Sequence, residues 1–191
     1  MLTLTKYAAI DIGSNAMRLL IMHARNSKDT TNYKKVSLVR VPIRLGQEAF
    51  TDGEISKATS KRFIEAMQAY KHLMNVHEVK AYRACATSAM REASNGDELV
   101  ATVKEEAGIE IDIISGQEEA AVIYSTHIEN VIGTSGNYLY VDVGGGSTET
   151  TVFSNGKLVK SKSFNIGTIR LLNNQVDELQ WDKMKAWLLD A

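Results

Sequence analysis

Residues 9–21 read "AIDIGSNAMRLLI", and residues 140–150 read "YVDVGGGSTET". Each stretch has an apolar lead-in, an aspartate between β-branched neighbours, and a small-residue turn that opens into a second apolar run. Apolar runs around such a turn are the signature of a strand–turn–strand hairpin. Similarity within one chain is read as architecture first. Two copies of one unit are therefore predicted, each with an aspartate (Asp11, Asp142) at a strand end. Beside them lie the turns Gly13-Ser14-Asn15 and Gly144-Gly145-Gly146-Ser147. Small residues let backbone N–H groups approach an anion closely and form a nest for it. A carboxylate in an apolar strand is costly to bury alone, and a divalent cation beside it relieves that cost. Two such hairpins face to face would form a jaw around a phosphate–metal unit. Ordinary hairpins with turn aspartates would account for either copy alone, and less well for both in matched register.

Working outward, a third strand is expected within residues 33–45, with Val36, Leu38 and Val41 as its apolar members. Pro42, the only proline, ends it or marks an edge. Residues 46–56 read as a polar loop. Residues 56–76 form a helix whose stripe is Phe63, Met67, Tyr70 and Met74. A strand follows at 79–87, then a loop-like connection at 88–96. A helix over 97–108 is started by Asn95 with Glu98 three residues on, and stopped by Gly108. Residues 109–114 alternate as a strand. Ser115 and Glu118 have capping-box spacing at the head of a helix reaching residue 132. In the second copy, "SNGK" at 154–157 turns the chain into a third strand. Residues 168–173 and 177–190 read as helices, the latter with Leu179, Met184 and Leu188 as apolar members. The class is α/β. The expected division is a first domain over 1–132 and a second over 133–191.

Composition narrows the functions. Hydrophobic residues make up 44% and charged residues 24%, and the net charge is -1. That balance suits a globular domain and supplies no basic field for nucleic acid or an anionic membrane. The aromatic residues follow core spacing and suggest no base-stacking platform. The single cysteine, Cys85, excludes an intrachain disulfide and reads as a core filler. His23, His72, His77 and His127 lack metal-ligand spacing. No apolar run is long enough to span a membrane, and Lys6 and Tyr7 interrupt any leader pattern, so a cytoplasmic location is expected.

The two hairpins resemble the phosphate hairpins of the superfamily that contains actin, sugar kinases and chaperone ATPases. "ATSAMREASNG" (86–96), "ISGQEEA" (114–120) and "NIGTIRL" (165–171) narrow the resemblance to the exopolyphosphatase / guanosine-pentaphosphate phosphatase (Ppx/GppA) family. That resemblance implies an actin-like fold of two ribonuclease-H-like domains with the site in a cleft between them. It implies Mg²⁺- or Mn²⁺-dependent hydrolysis of phosphoanhydrides. By position, Asp11 and Asp142 match the acidic metal site, with Glu149 as a further metal anchor or a prop for the hairpin. Gly13, Ser14, Asn15, Gly144, Gly145, Gly146 and Ser147 match the phosphate-binding turns. Arg91 matches an arginine that grips phosphate; read locally, it could equally cap or pair with Glu92 or Asp97. Glu119 matches the glutamate that orients or deprotonates the attacking water. Local reasoning agrees: Glu118 is occupied by capping, while Glu119 has no such duty and a helix N-terminus keeps it ionised.

The implied substrates are polyphosphate and guanosine penta- or tetraphosphate, with water attacking a terminal phosphoryl group between the two hairpins. A non-catalytic sensor of the same ligands and an ATP-dependent kinase are the alternatives; the kinase would need an adenosine-binding loop not found in this sequence. The resemblance also implies a second domain as large as the first, so residues 133–191 are expected to hold only its beginning. An exposed sheet edge there would favour a homodimer.

Overall fold

A computed structural model describes residues 4–26, 31–125 and 135–190. It contains two compact units, Met1–Ile113 and Ile114–Ala191.

The first unit is a five-stranded sheet with helices. Its elements are β1 (Leu4–Ile12), β2 (Met17–Asn26), β3 (Thr31–Val41), α1 (Leu45–Thr51), α2 (Lys57–Val76), β4 (Ala81–Ala86), α3 (Ser88–Glu92), α4 (Gly96–Ala107) and β5 (Asp112–Ile113). The strand order is β3-β2-β1-β4-β5. β1, β2 and β3 run antiparallel, and β4 joins β1 in parallel. Side chains alternate across a strand. One face of the sheet thus carries Ile10, Ile12, Leu19, Ile21, Ala84 and Ala86 into the core. Phe63, Met67, Tyr70 and Met74 of α2 and Leu99 and Val103 of α4 meet them there. The α2 stripe is the predicted one. The Tyr70 hydroxyl lies within hydrogen-bonding distance of the carbonyls of Met17 (3.1 Å) and Val39 (3.2 Å), bridging β2 and β3 from below.

Several local readings are corrected. Val36, Leu38 and Val41 cannot share one face of an unbroken strand. Val39 and Val41 pack on the core, while Leu38 is 53% exposed. Val36 is an extra residue at a bulge, since Ile21 pairs with Ser37 and Met22 with Lys35. The expected loop at 46–56 contains α1, whose Leu45 and Ala49, one turn apart, are buried. The connection at 88–96 contains α3. Asn95 stands at the N-cap of α4, yet its side chain does not cap. It accepts from Ile55 N (3.0 Å) and donates to Ile55 O (2.8 Å), fastening α4 to the loop before α2. Gly108 ends α4 in the left-handed region, at φ 62. Cys85 lies on the sheet face opposite Ala84 and Ala86 and is half-buried, so it is not a core filler.

The second unit holds α5 (Gly116–Ser125), β6 (Asn137–Val143), β7 (Thr148–Ser154), β8 (Lys157–Phe164), α6 (Thr168–Leu172) and α7 (Glu178–Leu189). The sheet order is β6-β7-β8, all antiparallel. Asn155 and Gly156 take φ 48 and 73, the two positive values that a tight β7–β8 hairpin requires. α5 packs on β7 and β8, so the compact units divide between Ile113 and Ile114, ahead of the helix that sequence reading gave to the first domain. Residues 126–132 of that expected helix lie outside the described residues. On α7, Leu179 is 57% exposed, and Trp187 instead meets Phe164 edge-on, with ring centroids 5.7 Å apart. No helix among the described residues is long and apolar enough to cross a membrane.

Burial pushes the Tyr70 phenol from its ordinary 10 up to about 12; Arg18 pulls it down and Asp11 adds to the rise. The protonated phenol is the form the fold prefers. Its contribution is complete below pH 10 and is lost as pH rises toward 12. Tyr70→Phe should cost about 1 kcal/mol at neutral pH in denaturant melts. The same substitution should also flatten the loss of stability over that alkaline interval.

Candidate active site

The two repeat hairpins are built alike, bond for bond. In the first, Ile12 pairs with Met17 and Gly13 N donates to Ala16 O (3.2 Å). In the second, Val143 pairs with Thr148 and Gly144 N donates to Ser147 O (2.8 Å). The likeness continues past the third strand. Ile43 N donates to Val41 O (3.1 Å), and Ile166 N donates to Phe164 O (2.7 Å). Gly46 N then reaches back to Ser14 O (2.8 Å), as Ile169 N does to Gly145 O (2.9 Å).

These returning bonds tie the turn carbonyls backwards. In the first unit, Gly46 N and Arg44 N hold the carbonyls of Ser14 and Asn15, the latter at 3.0 Å. In the second unit, Thr168 N holds Gly144 O (3.0 Å), Ile169 N holds Gly145 O, and Arg170 Nε holds Gly146 O (2.7 Å). A trans peptide points its C=O and the next N–H to opposite sides. Tying back three consecutive carbonyls therefore aims the N–H groups of Gly145, Gly146 and Ser147 the other way. Among the described residues, no backbone carbonyl accepts from those three. The approach is close enough to demand glycine at 167, where a Cβ would lie 2.3 Å from Gly145 O.

Around the first turn, Asp11 stands across the hairpin from Arg18, whose Nη1 donates to Asp11 Oδ2 at 2.8 Å. Both side chains are half-exposed. Ser14 is only 5% exposed, and its Oγ bonds Ser88 Oγ at 3.0 Å. Its side chain is a brace that joins the turn to α3, so phosphate binding at Ser14 would rest on backbone. Arg91 is exposed on α3, three residues after Ser88 and so on the same side of that helix. Asn15 is exposed at the tip.

Around the second turn, Asp142, Glu149 and Ser163 form one row across β6, β7 and β8. Cross-strand partners in an antiparallel pair project to the same face. Glu149 is 4% exposed and accepts from Ser163 Oγ at 2.8 Å; Asp142 is exposed. The start of α5 covers the Ser163 end of the row: a Cβ on Gly116 would sit 2.8 Å from Ser163 Cβ. The predicted capping box is present. Ser115 N donates to Glu118 Oε2 (2.8 Å), and Glu118 N donates to Ser115 Oγ (3.2 Å). Glu119, half-buried, follows in the first turn with its N–H on Ser115 O. Burial first, and the Asp142 charge second, raise the Tyr140 phenol two residues along β6.

The first unit thus gathers Asp11, Gly13, Ser14, Asn15 and Arg91, and the second gathers Glu119, Asp142, Gly144, Gly145, Gly146, Ser147 and Glu149. Sequence reasoning missed Arg18, Ser88, Ser163 and Arg170. Arg18 was within reach, since a four-residue turn between Ile12 and Met17 places it opposite Asp11. Arg170 stood inside "NIGTIRL" without a role. Among the described residues, no three His, Cys, Asp or Glu side chains cluster as a ready metal cage.

Comparison with known proteins gives a consistent answer. The profile of the Ppx/GppA phosphatase family matches residues 25–185. The chain is 31% identical over 175 residues to exopolyphosphatase 2 of Mycobacterium tuberculosis, covering 89% of this chain and 54% of that protein. It is 30% identical over 171 residues to the guanosine-5'-triphosphate,3'-diphosphate pyrophosphatase of Aeromonas hydrophila, covering 88% of this chain and 33% of that one. The crystal structure of an exopolyphosphatase from Cytophaga hutchinsonii superimposes with a TM-score of 0.77 at 26% identity, over 89% of this chain and 53% of that one. The chain thus spans about a third to a half of the length of these relatives. Two matched hairpins with tied-back turns, a mixed α/β, actin-like fold shared with that structure and a profile match across most of its length place this chain in the Ppx/GppA phosphatase family.

Proposed function

We propose that this chain carries the phosphate-binding and water-orienting groups of a phosphoanhydride hydrolase, which removes the terminal phosphoryl group from inorganic polyphosphate or guanosine pentaphosphate. The observation that supports it most is the tied-back turn at Gly144–Ser147, which presents three consecutive N–H groups on one side. Such a row of donors matches the equatorial oxygens of a transferring phosphoryl group, where charge develops. The names of the relatives, an exopolyphosphatase and a guanosine-5'-triphosphate,3'-diphosphate pyrophosphatase, point to the same two substrates.

The reaction needs little covalent help from protein. A water oxygen bonds to the terminal phosphorus as the bridging P–O bond breaks. Orthophosphate and the shortened chain leave, and the water's proton passes to Glu119 or to the departing oxygens. Glu119 orients that water from the head of α5, where the helix dipole favours its ionised form. Loose phosphoryl transition states ask for positioning more than for base strength. Arg91 adds charge for the phosphate oxygens.

Hard oxygen donors suit Mg²⁺ or Mn²⁺, and Mg²⁺ in phosphate sites is commonly held by one or two carboxylates plus substrate oxygens. Asp142 and Glu149, partners in one cross-strand row, fit that pattern. Asp11 fits less directly, since Arg18 already holds its carboxylate. A bound cation would neutralise phosphate oxygens.

The test is orthophosphate release from polyphosphate and from guanosine pentaphosphate with Mg²⁺ present. Glu119→Gln should lower kcat about 100-fold or more with little change in KM, the size of effect typical of a lost proton-transfer group. Asp142→Asn should raise the Mg²⁺ concentration needed for half-maximal rate. Release unaffected by both substitutions would remove the proposal, and tight binding without any release would favour a sensor.

A further inference from the structure

We infer that Arg170 is a positioning residue for phosphate binding: it locks the Gly146–Ser147 peptide so that the Ser147 N–H faces the anion. The inference rests on reading the 144–147 turn as a phosphate site.

The two units solve one mechanical problem differently. In each, the last tied carbonyl of the turn, Asn15 O or Gly146 O, needs a donor from the segment after the third strand. In the first unit the donor is a backbone N–H, that of Arg44, which sits in the left-handed region at φ 62. In the second unit the matching position is Gly167, with an extended backbone at φ -141. There the donor to Gly146 O is a side chain, Arg170 Nε at 2.7 Å. Two of the three returning bonds in the second unit come from the main-chain N–H groups of residues 168 and 169, which every residue type but proline supplies. The third depends on which residue occupies position 170.

That third bond falls where the chain is least able to hold itself. Gly144, Gly145 and Gly146 carry no Cβ, so their own sterics leave both signs of φ open. A peptide flip at Gly146–Ser147 would exchange an outward N–H for an outward C=O, turning a donor to the anion into a repellent dipole. Arg is well suited to prevent it. Its guanidinium is permanently charged and rigid, and charged donors make the shorter and stronger hydrogen bonds. The Arg170 bond is partly buried, where water competes less.

The experiment follows the backbone amides of this chain by ¹H–¹⁵N NMR, free and with inorganic tripolyphosphate. It compares wild type with Arg170→Met and Arg170→Lys. In wild type, tripolyphosphate should shift Gly145, Gly146 and Ser147. In Arg170→Met, which keeps the apolar stem, the free protein should show exchange broadening or faster amide exchange at Gly146 and Ser147. Its tripolyphosphate affinity should fall about tenfold, the equivalent of roughly 1.4 kcal/mol. Arg170→Lys, which keeps a cationic donor, should recover part of both. A merely structural arginine would lower the melting temperature without changing affinity in the folded range. Equal order at Gly146 and Ser147 in wild type and Arg170→Met overturns the positioning role, whatever the ligand does. Equal affinity of the two for tripolyphosphate overturns the functional half. A wild type whose turn amides ignore tripolyphosphate defeats the phosphate-site reading itself, while the comparison in the free protein still decides whether Arg170 holds the turn.

Discussion

A planar trans peptide cannot show its carbonyl and the following N–H to the same side, and the candidate site depends on that constraint. To offer N–H groups to an anion, the chain must spend the preceding carbonyls elsewhere. Both units do so with the segment that follows their third strand, and the core is arranged to bring that segment back. Ile43 and Leu45 are buried beside the first turn, and Ile166 beside the second. Hydrophobic burial thus fixes the segment, and its N–H groups then fix the turn. The energy that orients the turns comes from buried apolar residues outside them.

The repeat is more than two similar hairpins. It extends through the third strand, a shared bond across one residue, and the first turn of a helix. The copies then diverge in what the hairpin aspartate meets. Asp11 faces an arginine across its hairpin, whereas Asp142 faces Glu149. One scaffold therefore carries two electrostatic settings: a carboxylate paired with an arginine across its hairpin, and two carboxylates opposite each other on neighbouring strands.

The parts of this arrangement legible in sequence are those governed by short-range rules. Alternation gave the hairpins, three- and four-residue spacing gave α2, capping-box spacing gave the head of α5, and Asn155-Gly156 gave the β7–β8 turn. What stayed hidden depended on contacts between distant segments. Asn95 has the composition of a cap, but the backbone of Ile55 offered its amide a better-matched pair of partners. The α1 segment is short and contains a glycine, and Leu45 and Ala49 become recognisable as a helical stripe once the core covers them. The Val36 bulge follows from strand pairing, which periodicity along one strand does not encode. The bond between Ser14 and Ser88 joins residues far apart along the chain, which no local pattern encodes.

The donors at the second turn are peptide N–H groups, held by other peptide N–H groups and one guanidinium. None of these gains or loses a proton anywhere near neutrality. The cradle is therefore a fixed dipolar surface, indifferent to acidity over the range in which a terminal phosphate changes its own charge. A phosphate seated there, as proposed, would meet the same donors across that whole range, and any change of its capture with acidity would originate outside the loop.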